Sequence, residues 1–173
     1  WDIWGPAGGY IAAIALRAVG EQAPPDHRPV TLTGEFVSGA RPGEIELRVD
    51  VVKPGATALH VVRLTQGDRV IFLAQVWTTS RADPSQPYAP AMPEVPAPAT
   101  CIETHDFFAR RGMEEIAFWQ NIEGRLVHPR WTDDPPPEEP RQLRWMRFRD
   151  WSPTGNPFVE AMRAVMLIDI GVW

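Results

Sequence analysis

The chain has 173 residues, 44% of them hydrophobic, with a mean hydropathy of -0.24 and a formal net charge of -5. Such values belong to a soluble globular protein of one large domain or two small ones, long enough to bury a real core. The acidic balance disfavours nucleic acid as a partner, and every apolar run is far shorter than the ~20 residues of a membrane span.

Cys101 is the only cysteine, which rules out an intrachain disulfide and a zinc site of paired cysteines and fits a reducing cytoplasm. His27, His60, His105 and His128 lie far apart without an HxH or HxxxH pair, so neither a metal nor another cofactor is expected. The chain opens on Trp1-Asp2-Ile3-Trp4, with no Met and no basic leader. Its first residue is therefore expected not to be the natural start.

Gly5-Pro6-Ala7-Gly8-Gly9-Tyr10 leads into Ile11-Ala12-Ala13-Ile14-Ala15-Leu16-Arg17-Ala18-Val19. As a helix this run is apolar on nearly every side, which predicts burial all round. The glycines before it have two readings. They are a turn that starts the helix, or they let a ligand come close to the unpaired, partly positive N–H groups of a helix start.

After Ala23-Pro24-Pro25-Asp26 breaks the helix, four strands are predicted near residues 30–37, 44–53, 58–66 and 69–79. The run from Glu44 to Val51 alternates charged and aliphatic residues throughout, which predicts one dry and one wet face. Short turns at Lys53-Pro54-Gly55 and Gln66-Gly67-Asp68-Arg69 make the set an antiparallel meander. Its apolar face, carrying Ile45, Leu47, Val49 and Val51, is the expected partner of the first helix.

Residues 81–99 hold Pro84, Pro87, Pro90, Pro93, Pro96 and Pro98 and read as an extended, exposed linker. Beyond it come a short helix near 105–111, a strand near 122–127, an acidic proline loop at 133–140 and a strand within 142–149. Asn156 then stands as N-cap and Pro157 as first residue of a helix running to Asp169, similar to the first in length and burial.

The order Gly8-Gly9-Tyr10-Ile11-Ala12-Ala13, Phe36-Val37-Ser38-Gly39-Ala40-Arg41-Pro42-Gly43, Val51-Val52-Lys53-Pro54-Gly55 and Leu64-Thr65-Gln66-Gly67-Asp68-Arg69-Val70 resembles the type II acyl-CoA thioesterases and the wider thioesterase-like superfamily. The resemblance spans roughly residues 4–79, and more loosely 143–173. It implies an α+β double hotdog, in which antiparallel sheets wrap long central helices. The first hotdog would occupy residues 1–80, the linker 81–99 and a partial second hotdog 100–173, with further strands expected after Trp173 or from another chain.

It also implies hydrolysis of fatty acyl-CoA by a water that an Asp orients together with a Thr or Ser and a Gln. The matching acid is Asp169; the other two have no counterpart up to Trp173. Asp169 stands out physically as well, because an acid in the last turn of a helix faces the negative end of the dipole, here between Ile168 and Ile170. A carboxylate that reaches solvent or a nearby backbone N–H is the competing reading of that residue.

Gly8, Gly9 and Tyr10 are the candidate substrate-binding residues, supplying backbone N–H groups for the oxyanion, with Tyr10, Ile14 and Phe36 along an acyl tunnel. The expected partner is acyl-CoA, with homo-oligomerisation. The alternative is a catalytically silent acyl-binding hotdog module. A hotdog hydratase ranks last, since a His and acid pair is missing from the helix start. His60 is expected to be paired or solvated, and most of the strand acids Glu35, Glu44, Glu46 and Asp50 to face water.

Overall fold

The computed structural model describes residues 5–81, 91–112, 117–127 and 143–170. The Trp1 to Trp4 opening, the 82–90 part of the proline segment and the acidic loop at 133–140 lie outside the described residues. The chain divides into two compact units, Trp1–Tyr88 with Pro153–Trp173, and Ala89–Ser152.

In the first unit α1 spans Gly8–Gln22, where Ala12, Ala13, Ala15, Ala18 and Leu16 are all strong helix formers. It ends at Ala23, whose N–H donates to the Val19 carbonyl, because Pro24 and Pro25 cannot continue the ladder. Four strands follow: β1 Arg28–Phe36, β2 Glu46–Lys53, β3 Thr57–Gln66 and β4 Arg69–Thr79. They form one antiparallel sheet in the order β1-β4-β3-β2. The tight β3 to β4 turn places Gly67 at φ 55, a left-handed conformation that glycine adopts without a Cβ penalty.

Ala58, His60, Val62 and Leu64 of β3 and Phe72, Ala74, Val76 and Thr78 of β4 are buried. Ile11, Ala12, Ala15, Leu16 and Val19 of α1 join the same core. Each of the larger aliphatic side chains contributes about 1.5–3 kcal/mol by leaving water. At Gly34, an added Cβ would stand 2.2 Å from the Phe72 ring, so the ring occupies the space a side chain would need.

Two expectations change here. The helix is not buried on every side: Tyr10, Arg17 and Glu21 are exposed, and Arg17 pairs with Glu21 at 3.0 Å. With both groups well exposed, that pair contributes only about 0.3–0.5 kcal/mol. In β2 the alternation is present without a dry face: Leu47 is 40% exposed, Val51 49% and Val52 59%. The reason is position, since β2 lies at the sheet edge and the most deeply buried strand residues belong to the more central β3 and β4. Only Ile45 and Val49 from that region pack partly against the core.

The last helix, numbered α3, spans Pro157–Asp169 and lies in the first unit. The Asn156 side chain accepts from Phe158 N at 2.9 Å and Val159 N at 3.3 Å, and Pro157 opens the first turn. Helix α3 runs antiparallel to α1. At one end a Cβ on Gly9 would lie 2.9 Å from Met166 Cα, and at the other a Cβ on Gly20 would lie 2.8 Å from Phe158 Cγ. The two helices differ in burial, however: only Phe158 of α3 is buried, and Ile168 is 73% exposed.

The second unit holds β5 Ile102–Glu103, α2 Thr104–Ala109, β6 Ile122–Leu126 and β7 Arg144–Phe148. Its antiparallel sheet has the order β5-β6-β7. Phe107, Phe118, Ile122 and Leu126 are buried. Glu123 takes ion pairs from Arg125 at 3.1 Å and from its cross-strand partner Arg147, and these two arginines hold its carboxyl below the usual range.

Candidate functional site

Helix α1 starts without help from its own N-cap, since Ala7 offers no side-chain acceptor and no acid stands in the first turn. Helix α3 ends on a carboxylate that its own dipole disfavours. The antiparallel packing answers both. Gly9 N–H donates to Asp169 Oδ2 at 2.8 Å, so the charge at the negative end of α3 sits on the positive end of α1.

That contact needs glycine. A Cβ on Gly9 would lie 2.7 Å from Asp169 Cβ and 3.1 Å from the Val165 carbonyl oxygen. At Gly8, a Cβ would stand 3.2 Å from both Asp169 Oδ1 and Phe36 Cζ, which puts the second carboxylate oxygen near the Phe36 ring edge. Phe36 itself leans on Phe72 with centroids 4.7 Å apart and is 58% exposed.

The structure therefore brings Asp169, Gly8 and Gly9 together, 160 residues apart in sequence. Tyr10 is the next residue along α1, half-exposed. With Pro6, Ile11, Ile14, Pro42 and Ile45 it lines a largely apolar groove of about 340 Å³. Phe36 is not part of that lining.

One cluster escaped the sequence reading. His27 Nδ1 lies 2.8 Å from Thr78 Oγ1, and His60 Nε2 lies 3.2 Å from the same oxygen. All three residues are buried. His60 is thus paired, as expected, though in the core; burial first and the neighbouring His27 second hold its imidazole below the usual value. The signal was present in β3, where His60 falls in phase with Ala58, Val62 and Leu64. Among the described residues, no group of three His, Cys, Asp or Glu is placed to hold a metal ion, and no helix is long and apolar enough to cross a membrane.

Residues 1–79 match the family model of the acyl-CoA thioesterase N-terminal domain. In that segment the chain resembles the acyl-CoA thioesterases. Solved structures agree on the hotdog fold for this chain. An acyl-CoA thioesterase II, TesB2, from Mycobacterium marinum superposes with TM-score 0.74 at 21% identity, over 94% of this chain and 59% of its own. A hot dog fold protein of unknown function from Alicyclobacillus acidocaldarius gives 0.73 at 20% identity, over 98% and 60%. A candidate thioesterase from Novosphingobium aromaticivorans gives 0.69 at 27% identity, over 96% and 66%. The chain thus spans less than two thirds of each of these structures. A search of curated proteins finds no match to it.

Proposed function

We propose that the protein is an acyl-CoA thioesterase that hydrolyses fatty acyl-CoA to free acid and CoA, with Asp169 orienting the attacking water. The observation that carries this reading is the Asp169 carboxylate on the N-terminus of α1, next to an apolar groove, in a chain whose first 79 residues match the thioesterase N-terminal domain.

In this reading Oδ2 is committed to Gly9 N–H, which leaves Oδ1 to accept a hydrogen bond from water. The water attacks the thioester carbonyl carbon and its proton passes to the carboxylate. Negative charge then gathers on the former carbonyl oxygen. Gly9 N–H is occupied, so the donors available at this helix start are the N–H groups of Gly8 and Tyr10, which the first turn leaves without an intrahelical acceptor. Collapse of the tetrahedral species breaks the C–S bond, the proton is delivered to the departing thiolate, and the acid and CoA are released. Thiolate is a good leaving group, so a nucleophilic Ser and His pair is not required. The groove beside Tyr10 and Ile14 takes the start of the acyl chain.

The same reading treats residues 1–80 and 100–173 as two hotdog repeats joined by the 81–99 linker, and the side-by-side packing of α1 and α3 supports it. It also places the protein in the cytoplasm as a homo-oligomer, which the exposed Leu47, Val51 and Val52 on the edge strand β2 support. One observation favours a silent acyl-binding module instead. The bond from Gly9 to Asp169 gives the carboxylate a structural role that needs no catalysis.

Thiol release from acyl-CoA substrates of several chain lengths, with Asp169→Asn as the variant, separates the two readings. The asparagine oxygen still accepts from Gly9 N–H, so the fold is kept while the charge is lost. Hydrolysis is expected to fall about a hundredfold or more, with an unchanged thermal melt. Equal turnover in the variant removes Asp169 from the mechanism, and no turnover by the unaltered protein on any chain length selects the binding module.

A further inference from the structure

We propose that His27, Thr78 and His60 form an acid-sensitive latch, in which His27 takes up a proton without loss of the bridge and His60 cannot. The three belong to different parts of the fold: His27 precedes β1, His60 lies within β3 and Thr78 near the end of β4. Together they tie one corner of the sheet. Next to them Thr79 Oγ1 donates to the Ala56 carbonyl at 2.9 Å, and Arg28 pairs with Thr79 across β1 and β4.

The hydrogen count sets the behaviour. Thr78 Oγ1 has one hydrogen and meets two imidazole nitrogens. One nitrogen therefore donates to the hydroxyl and the other accepts from it. If His27 takes a proton, it donates from Nδ1 to Thr78, which donates to His60 Nε2, and every bridging atom stays satisfied. His27 also lines a pocket of about 400 Å³ with Gly20, Pro24, Thr154, Asn156 and Phe158, which gives the proton a route in.

A second proton breaks the arrangement. His60 Nε2 would then donate as well, and the Thr78 hydrogen, in a fully buried residue, would need an acceptor that none of its described bonds supplies. His60 Nδ1 has no hydrogen-bond partner in either state, so the second proton adds a buried charge that no hydrogen bond at Nδ1 offsets. Among the described residues, no counter-charge is placed against it. Its cross-strand partners are Val51 and Val76, and the buried residues of α1 are all apolar. Asp50, Arg17 and Glu21 are exposed, as is Asp26 beside His27. Glu160 and Arg163 of α3 pair with each other at 3.1 Å. The bridge therefore tolerates a proton on His27, whereas charging His60 releases the corner.

The test is a histidine NMR titration with amide exchange at Thr78 and Thr79, on the unaltered protein, Thr78→Ser and Thr78→Val. His60 is expected to titrate below its value in the urea-unfolded chain. Exchange protection at the corner should fall about tenfold per pH unit, for each extra proton the open state binds, as pH drops below about 6.5. Serine keeps this profile. Valine removes the hydroxyl and uncouples the two histidines. His60 titrating as it does in the unfolded chain, or corner protection that does not change with pH, overturns the latch. The titration of the unaltered protein decides the matter even if valine does not fold.

Discussion

A Cβ added at Gly9 would lie 2.7 Å from Asp169 Cβ and 2.9 Å from Met166 Cα. Backbone cannot rotate away as a side chain can, so Gly9→Ala has to push α3 off α1. Alanine gains up to about 1 kcal/mol of helix propensity, but overpacking of this kind costs about 1–3 kcal/mol, and the second effect wins. We expect Gly9→Ala to lower the urea midpoint and break the bond to Asp169. Gly8→Ala should be nearly neutral, because its 3.2 Å neighbours are a carboxylate oxygen and the half-exposed Phe36 ring. Equal stability of the two variants would show that the close helix approach is not what requires Gly9. The sequence marked Gly8, Gly9 and Asp169 as candidates by residue type and helix position. It could not show that Gly9 N–H faces Asp169, because that depends on how two helices 160 positions apart pack. Residue type did not signal the histidine latch either, since His27, Thr78 and His60 share no motif spacing; only the strand phase of His60 pointed inward.

Local chemistry wrote the start of α3 plainly. Asn156 supplies two bonds to first-turn N–H groups and Pro157 pre-sets the first φ. Asn156→Ala is expected to destabilise the protein by about 1 kcal/mol, while Asn156→Asp, which keeps the acceptor beside the helix dipole, should retain full stability. Thermal melts of both variants check this, and an alanine variant as stable as the original would mean that packing alone fixes the helix start. Strand β2 shows the limit of such reading. Its alternation identified a strand, yet burial is decided by what lies over a strand, and β2 is at the edge. The exposed stripe of α1 has the same origin. Tyr10, Arg17 and Glu21 fall on one side of the helix by spacing, but the apolar neighbours Ile14 and Ala18 hid that side from a count of charged residues.

Across the whole molecule, the surroundings of the His60, Glu123 and Glu160 side chains predict how stability responds to acid. His60 is lowered by burial and by His27. Glu123 is lowered by its bonds to Arg147 and Arg125, and Glu160 mainly by the Thr154 backbone N–H and hydroxyl. In each case the unfolded chain holds its proton more tightly, so stability is full above the unfolded value and falls as pH drops towards the folded one. The values separate into two windows. The histidine window opens below about 6.5 and the carboxylate window below about 4.3. A plot of melting temperature against pH should therefore be flat above neutrality and then descend in two stages. Glu123→Gln keeps the side-chain shape and removes the charge, so it should flatten the lower stage and leave the upper one in place. The ion pairs of Glu123 with Arg147 and Arg125 also predict that salt weakens the lower stage more than the upper, because Arg147 is largely exposed whereas His60 is buried. A single descent below pH 4 would show that His60 holds its proton as tightly in the folded as in the unfolded chain, and a lower stage unchanged in Glu123→Gln would assign it to other carboxylates.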